Sequence, residues 1–172
     1  VELHGCELDA GHLLRAEGTG LTGTLPLVQR WERVALFAPW IGILRLVLDQ
    51  IITQARAAAR LGRPLALSQL GRAALADVKI RLELGVRLVA RAAWQLERGA
   101  KAGDLEIAVS QLFVAQSVQQ ILREALALQG LPGLVGEHLS ARLQRDAAAI
   151  CLLGGGQELV RSVIAGSLLG LG

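Results

Sequence analysis

Val78-Lys79-Ile80-Arg81-Leu82-Glu83-Leu84 decides the fold, because two periodicities compete within it. Read two by two, it alternates apolar and charged residues like a half-exposed strand. Read three and four apart, it belongs to a stripe of Leu75, Val78, Leu82, Val89, Ala93 and Leu96 on one side of a helix. The flanks separate the two. No Pro or turn cluster interrupts Arg72 to Glu97, Ala is frequent on both sides, and Asp77 with Arg81 and Glu83 with Arg87 stand four apart, where opposite charges support a helix. The spacing predicts one helix from about Leu67 to Arg98 with two apolar sides, and therefore a neighbour on each.

Working outward, Pro26 divides the chain. Residues 1 to 25 carry five Gly and a Gly18-Thr19-Gly20 loop, and they open on Val1-Glu2-Leu3-His4-Gly5-Cys6-Glu7-Leu8, which reads as a strand and connector. From 27 to 60, Trp31, Val34, Ala38, Ile41, Leu44 and Leu48 recur at helical spacing. They predict one long helix, kinked at Pro39 and ended by Gly62-Arg63-Pro64. Downstream, Asp104 is the expected N-cap of a helix to about Leu128, with Ile107, Val114, Val118, Ile121, Ala125 and Leu128 on one stripe. Gly130-Leu131-Pro132-Gly133 breaks it. Shorter helices from about His138 to Leu152 and Gln157 to Leu169 follow, with Gly154 to Gly156 between them. The fold class is all-α: an up-and-down antiparallel bundle over 26–172, preceded by a short extended segment over 1–25.

Composition excludes several functions. With 172 residues, 52% apolar, 19% charged and 3% aromatic, the chain is one globular helical domain with an aliphatic core. Its +3 charge rests on sixteen Arg against two Lys, interspersed with acids and without aromatic platforms, so nucleic acid is not an expected partner. Cys6 and Cys151 lie far apart with no metal-type spacing, which fits a reduced, cytoplasmic protein. The runs Ile107 to Leu122, Val34 to Leu44 and Ala147 to Gln157 fall short of the roughly 20 predominantly apolar residues of a membrane helix, so no span is expected.

Near the end, Arg145-Asp146-Ala147 precedes Leu153-Gly154-Gly155-Gly156-Gln157-Glu158 and Arg161. Earlier stand Glu32-Arg33-Val34 through Leu48-Asp49, then Arg60-Leu61-Gly62-Arg63-Pro64-Leu65 with Gln69, then Ala92-Ala93-Trp94. In order and spacing these resemble the C-terminal helical domain of the acyl-CoA dehydrogenases, from about Glu32 to Leu169, with 1–25 resembling the closing strand and linker of that family's β-domain. The resemblance implies FAD, an acyl-CoA substrate, and a homo- or hetero-oligomer of acyl-CoA dehydrogenase-type subunits. It also implies α,β-dehydrogenation of an acyl thioester, in which a carboxylate takes the Cα proton. The chain reads as the back part of a longer protein, inactive alone.

The departures from the family pattern carry the functional expectation. Gly154 occupies the usual position of the catalytic Glu, Ala58 that of an Arg that reaches the flavin pyrophosphate across the subunit interface, and Leu61 that of a Phe. A glycine-rich family loop becomes Ala127-Leu128-Gln129-Gly130-Leu131-Pro132-Gly133. What remains for the cofactor is Arg60, Gln69, Gly130, Gly133, Gly155 and Gly156. In a minority branch of the family the base precedes an Arg at the start of the first helix, which makes Glu32 the candidate base. Glu32 also reads as a solvated residue favoured by a helix dipole, the commoner role of a lone acid at a helix start, and Gly154 to Gly156 as either a phosphate cradle or a plain connector. The losses favour a non-catalytic role in completing a flavin site and an oligomer. A helical interaction or scaffold module with no flavin role is the alternative.

Overall fold

The structure, a computed structural model, describes the chain apart from residues 1, 3, 58, 61–62, 65–66, 100–102, 130–138, 153–155 and 172, and describes only the backbone of 59, 60, 63, 64, 103 and 129. The Ala- and Leu-rich segments form α1 (Leu25–Ala35), α2 (Ala38–Ala57), α3 (Gln69–Glu97), α4 (Gly103–Gln129), α5 (Leu139–Ile150) and α6 (Gly156–Leu169). Between α2 and α3, β1 (Ala59–Arg60) pairs antiparallel with β2 (Arg63–Pro64), Arg60 opposite Arg63. The all-α bundle expected from the sequence is the fold observed.

α4 is the axis of the bundle and packs against α1, α2, α3, α5 and α6. Ile107, Val114, Val118 and Ile121 are fully buried, as are Ser110, Gln111 and Ser117 on other sides of the same helix. A charge on such a helix would have to leave water, which explains why its polar residues between 107 and 122 are all neutral. Trp40, Ile41, Leu44, Leu48 and Ile51 of α2 join Val78 and Leu82 of α3 and Leu143 and Ile150 of α5 around it in the main core. A smaller cluster of Ala92, Leu96 and Ile107 receives Val34 of α1.

In α3 the helical reading prevails over the strand-like alternation. Gly71, Val78, Leu82, Gly85, Ala92 and Leu96 form the buried face, while Ile80 and Leu84, which created the alternation, lie on the far side at 56% and 45% exposure. Ala92, rather than the expected Ala93, faces the core. Ser68 caps the helix, its Oγ accepting from Gly71 N at 3.0 Å. Glu83 receives Lys79 at 2.6 Å and Arg87 at 2.9 Å, whereas Asp77 and Arg81 do not close into an ion pair.

Six expectations are corrected. The stretch from 27 to 60 is two helices, broken at Leu36 and Phe37, where Phe37 turns into the core at 2% exposure. Pro39 therefore sits in the first turn of α2, where its missing N–H costs nothing, and kinks no helix. The break also resets the helical phase, so Trp31 faces outward at 55% exposure while Val34 faces in. α2 ends at Ala57, which puts Arg60 on β1 instead of a helix. Asp104 is not an N-cap: it lies inside the first turn of α4, with Oδ1 2.6 Å from Arg30 Nε of α1. The described residues of 1–24 form a short 3-10 turn (Ala10–His12) and a π turn (Gly20–Thr24) but no strand, since a strand needs a partner to hydrogen-bond.

Within Gly20–Ala57 one 18-residue window does reach membrane-like apolarity, with mean hydropathy 1.6, contrary to the expectation of none. Its apolar side is spent on the core, however, through Phe37, Trp40, Ile41, Leu44, Val47, Leu48 and Ile51.

Gly85 lets α2 approach α3, because a Cβ there would lie 3.0 Å from Ile41 Cδ1 and 3.9 Å from Val114 Cγ2. Gly85→Val should lower unfolding free energy by about 1–3 kcal/mol through overpacking. Adding Ile41→Val should recover part of that loss. Urea melts of the single and double variants check both effects, and independent additive losses would contradict the contact.

Candidate functional site

The residues to which the sequence assigns chemistry lie at three separate places. α1 is fixed at one end of the bundle, where α3 finishes and α4 begins: Val34 packs on Ala92, Leu96 and Ile107, and Arg30 meets Asp104. That contact is a close pair of charges rather than an aligned hydrogen bond, with both atoms shielded from water. Glu32 sits between these anchors, half-buried, and makes no ion pair with any described residue. Beside it Arg33 is also half-buried, and its Nε is out of water with no hydrogen-bond partner. Sequence reasoning weighed Glu32 with its neighbour Arg33 but passed over Arg30, although Arg30-x-Glu32-Arg33 was a visible cluster of charge at a helix end.

At the opposite end, Gln69 is the first residue of α3 and is exposed, and Arg60 lies on β1 just before it. α3 has 29 residues and is therefore about 43 Å long at 1.5 Å per residue. Glu32 and the Arg60 and Gln69 pair are therefore not brought together.

The third place lies at mid-bundle. Cys151 follows α5, is buried, and points Sγ at Ala115 O of α4 at 3.7 Å. Burial pushes its thiol above the ordinary 9.0, against the smaller opposite pull of hydrogen bonds with Gln157 and Gln119. Gly156 opens α6 with φ +74°, a left-handed backbone that favours glycine. Glu158 in the first turn is engaged by Arg161 at 2.7 Å. Gly154, Gly155, Gly130, Gly133, Ala58 and Leu61 lie outside the described residues.

The described recesses do not suit a flavin diphosphate. One of about 350 Å³ is lined, among the described residues, by Asp49, Gln50, Thr53 and Gln54 of α2 and Leu139 of α5, of which the charged one is an acid. Another of about 430 Å³ lies between 12–20 and the start of α1, where Arg15 is offset by Glu17. Neither includes Glu32, Gln69 or Gly156. Among the described residues no group of three His, Cys, Asp or Glu could hold a metal. His12 Nδ1 pairs with Asp9 at 2.8 Å on the surface.

The fold and the order of these residues are matched by a family. Residues 28–169 fit the acyl-CoA dehydrogenase C-terminal domain, and the chain belongs to that family. It is 31% identical over 137 residues to the 3-(aryl)acrylate reductase of Clostridium sporogenes (strain ATCC 15579), a match covering 80% of this chain and 36% of that protein. Among solved structures it is similar to the prolyl acyl carrier protein oxidase AnaB (31% identity, TM-score 0.86, 96% of this chain and 43% of that one). It is also similar to an FAD-dependent dehydrogenase (25% identity, TM-score 0.77, 81% and 38%). The chain thus spans well under half the length of each.

The two thiols are expected to behave differently. Cys6 is exposed and Cys151 buried, so a maleimide should modify one thiol rapidly in the native chain and the second only on unfolding. Because folding raises the Cys151 pKa, its contribution to stability is full below about pH 9 and fades as pH rises through the folded value. Denaturant melts should show a loss of stability above pH 9 that Cys151→Ala reduces.

Proposed function

We propose that the chain is the C-terminal bundle of an acyl-CoA dehydrogenase-type flavoprotein acting on acyl thioesters. By itself it serves to complete a flavin site and an oligomer and does not catalyse. The observation that carries this reading is the separation of Glu32 from Arg60 and Gln69 by most of the length of α3. That distance exceeds the reach of one dinucleotide, so a single copy cannot present both ends to the same flavin. Each end must meet a cofactor shared with another chain or another part of the protein. The sequence departures agree: Gly154 and Ala58 remove the carboxylate and the cation that would let this bundle do more on its own.

Glu32 is the carboxylate left for proton abstraction. Half-buried and unpaired, it is suited to accept a proton from an acyl α-carbon brought to that end of the bundle.

Two measurements test the reading. Calorimetry on the isolated chain should show no submicromolar FAD binding, since a missing charge-assisted contact costs about 1.5–3 kcal/mol. Submicromolar binding would overturn the shared-site argument. In the complete flavoprotein, Glu32→Gln should lower turnover by about two orders of magnitude or more with acyl-CoA binding retained. Unchanged turnover would leave Glu32 as a solvated helix-end residue.

A further inference from the structure

α1 carries Glu32 yet is held more lightly than its neighbours. Among the described residues it is the α-helix without a fully buried side chain. Val34 ties it to Ala92, Leu96 and Ile107, and Arg30 ties it to Asp104 in the first turn of α4, Nε to Oδ1 at 2.6 Å. At about 100° per residue, Arg30 and Val34 lie on one side of α1 and Glu32 lies on the opposite side.

The two ties do different work. Burial of one Val is non-directional, so it holds the helix down without setting its rotation about its own axis. A close pair of charges does set it, because the planar guanidinium has to meet the carboxylate at a fixed place. Asp104 is a firm place to meet. It stands at a helix start, where the dipole favours a carboxylate, on the helix that carries the main core. Two residues further, Glu106 takes Arg91 of α3 at 2.8 Å, so one turn of α4 locates both α1 and α3.

We propose that Arg30 and Asp104 are positioning residues for Glu32: their ion pair fixes the rotation of α1, and with it the direction in which the Glu32 carboxylate is presented. This rests on the assignment of Glu32 as the proton-abstracting carboxylate made above. The lever is short but sufficient. Side chains reach about 5–6 Å from a helix axis, so a roll of about 10° moves the carboxylate by about 1 Å. A misplacement of that size can lower a rate about a hundredfold. The side chains of Arg30 and Asp104 are 22% and 47% exposed, so the pair adds little to global stability. Its loss should disturb position rather than fold.

Hydrogen exchange on the whole chain and kinetics on the complete flavoprotein test the assignment. In Asp104→Asn the amides of 29–35 should exchange about tenfold faster, while those of α2 and α4 stay protected and circular dichroism is unchanged. In the flavoprotein, Asp104→Asn and Arg30→Gln should each lower kcat by about tenfold or more with KM for the acyl thioester within about twofold. Combined, they should cost no more than either alone, and the exchanged pair Arg30→Asp with Asp104→Arg should recover a large part of the loss. In a Glu32→Gln background Asp104→Asn should lower kcat no further, since no base is left to position. Unaltered exchange of α1, or full kcat in both single variants while Glu32→Gln is impaired, would overturn the pair's role and leave Glu32 as the base. An equal loss on top of Glu32→Gln would overturn it too, because the effect would then run by another route. Unchanged turnover in Glu32→Gln itself would instead remove the base, and with it anything for the pair to position.

Discussion

The burial of α4 on nearly all sides is the constraint from which the rest follows. Five helices lean on it, and its residues from 107 to 122 contain no charge, because an ion so placed would lose its water without a partner able to replace it. Small residues such as Ala108, Ala115, Ser117 and Ala125 allow close approach, and Ile and Val at the intervening positions fill the gaps. With 3% aromatics in the chain, packing has to come from many aliphatic contacts spread along long helices rather than from a few large side chains.

Long helices in turn separate function in space. A 29-residue helix stands between the α1 end, with Glu32, and the β1 end, with Arg60 and Gln69. The described recesses lie between α2 and α5, beside the start of α1 and along 8–17, and none of them gathers Glu32, Gln69 or Gly156. On the function proposed above, chemistry at either end would draw on a second surface, and the bundle would complete a site rather than form one.

The sequence made the helices legible and their interruptions less so. α3, α5 and α6 were readable to within a residue or two, since apolar spacing and Gly-rich breaks act locally. The break at Leu36 and Phe37 was not, because the one local signal, Pro39, reads the same for a kink within a helix as for the first turn of a new one. It exists so that Phe37 can enter the core, a tertiary reason invisible to periodicity. Trp31 was misplaced for the same cause. Asp104 looked like a cap because caps are the commonest role of an Asp before an apolar stripe, and its actual partner, Arg30, is distant in sequence. Of the site, Glu32 could be named from its neighbour Arg33, but its separation from Gln69 depends on how the helices align, which no motif encodes.

The outward face of α3 shows how a local pattern carries two meanings. The alternation at 78–84 misleads as a strand signal only if one apolar face is assumed. With two, Val78 and Leu82 serve the core while Ile80 and Leu84 serve the outside, and the charged residues between them occupy the borders. Glu83 at such a border takes both Lys79 and Arg87, and hydrogen bonding from Lys79, then Arg87, holds its carboxyl below the usual range. Pairs this exposed add little to stability, so they do not explain why a solvent side would keep Ile, Leu and Trp in register.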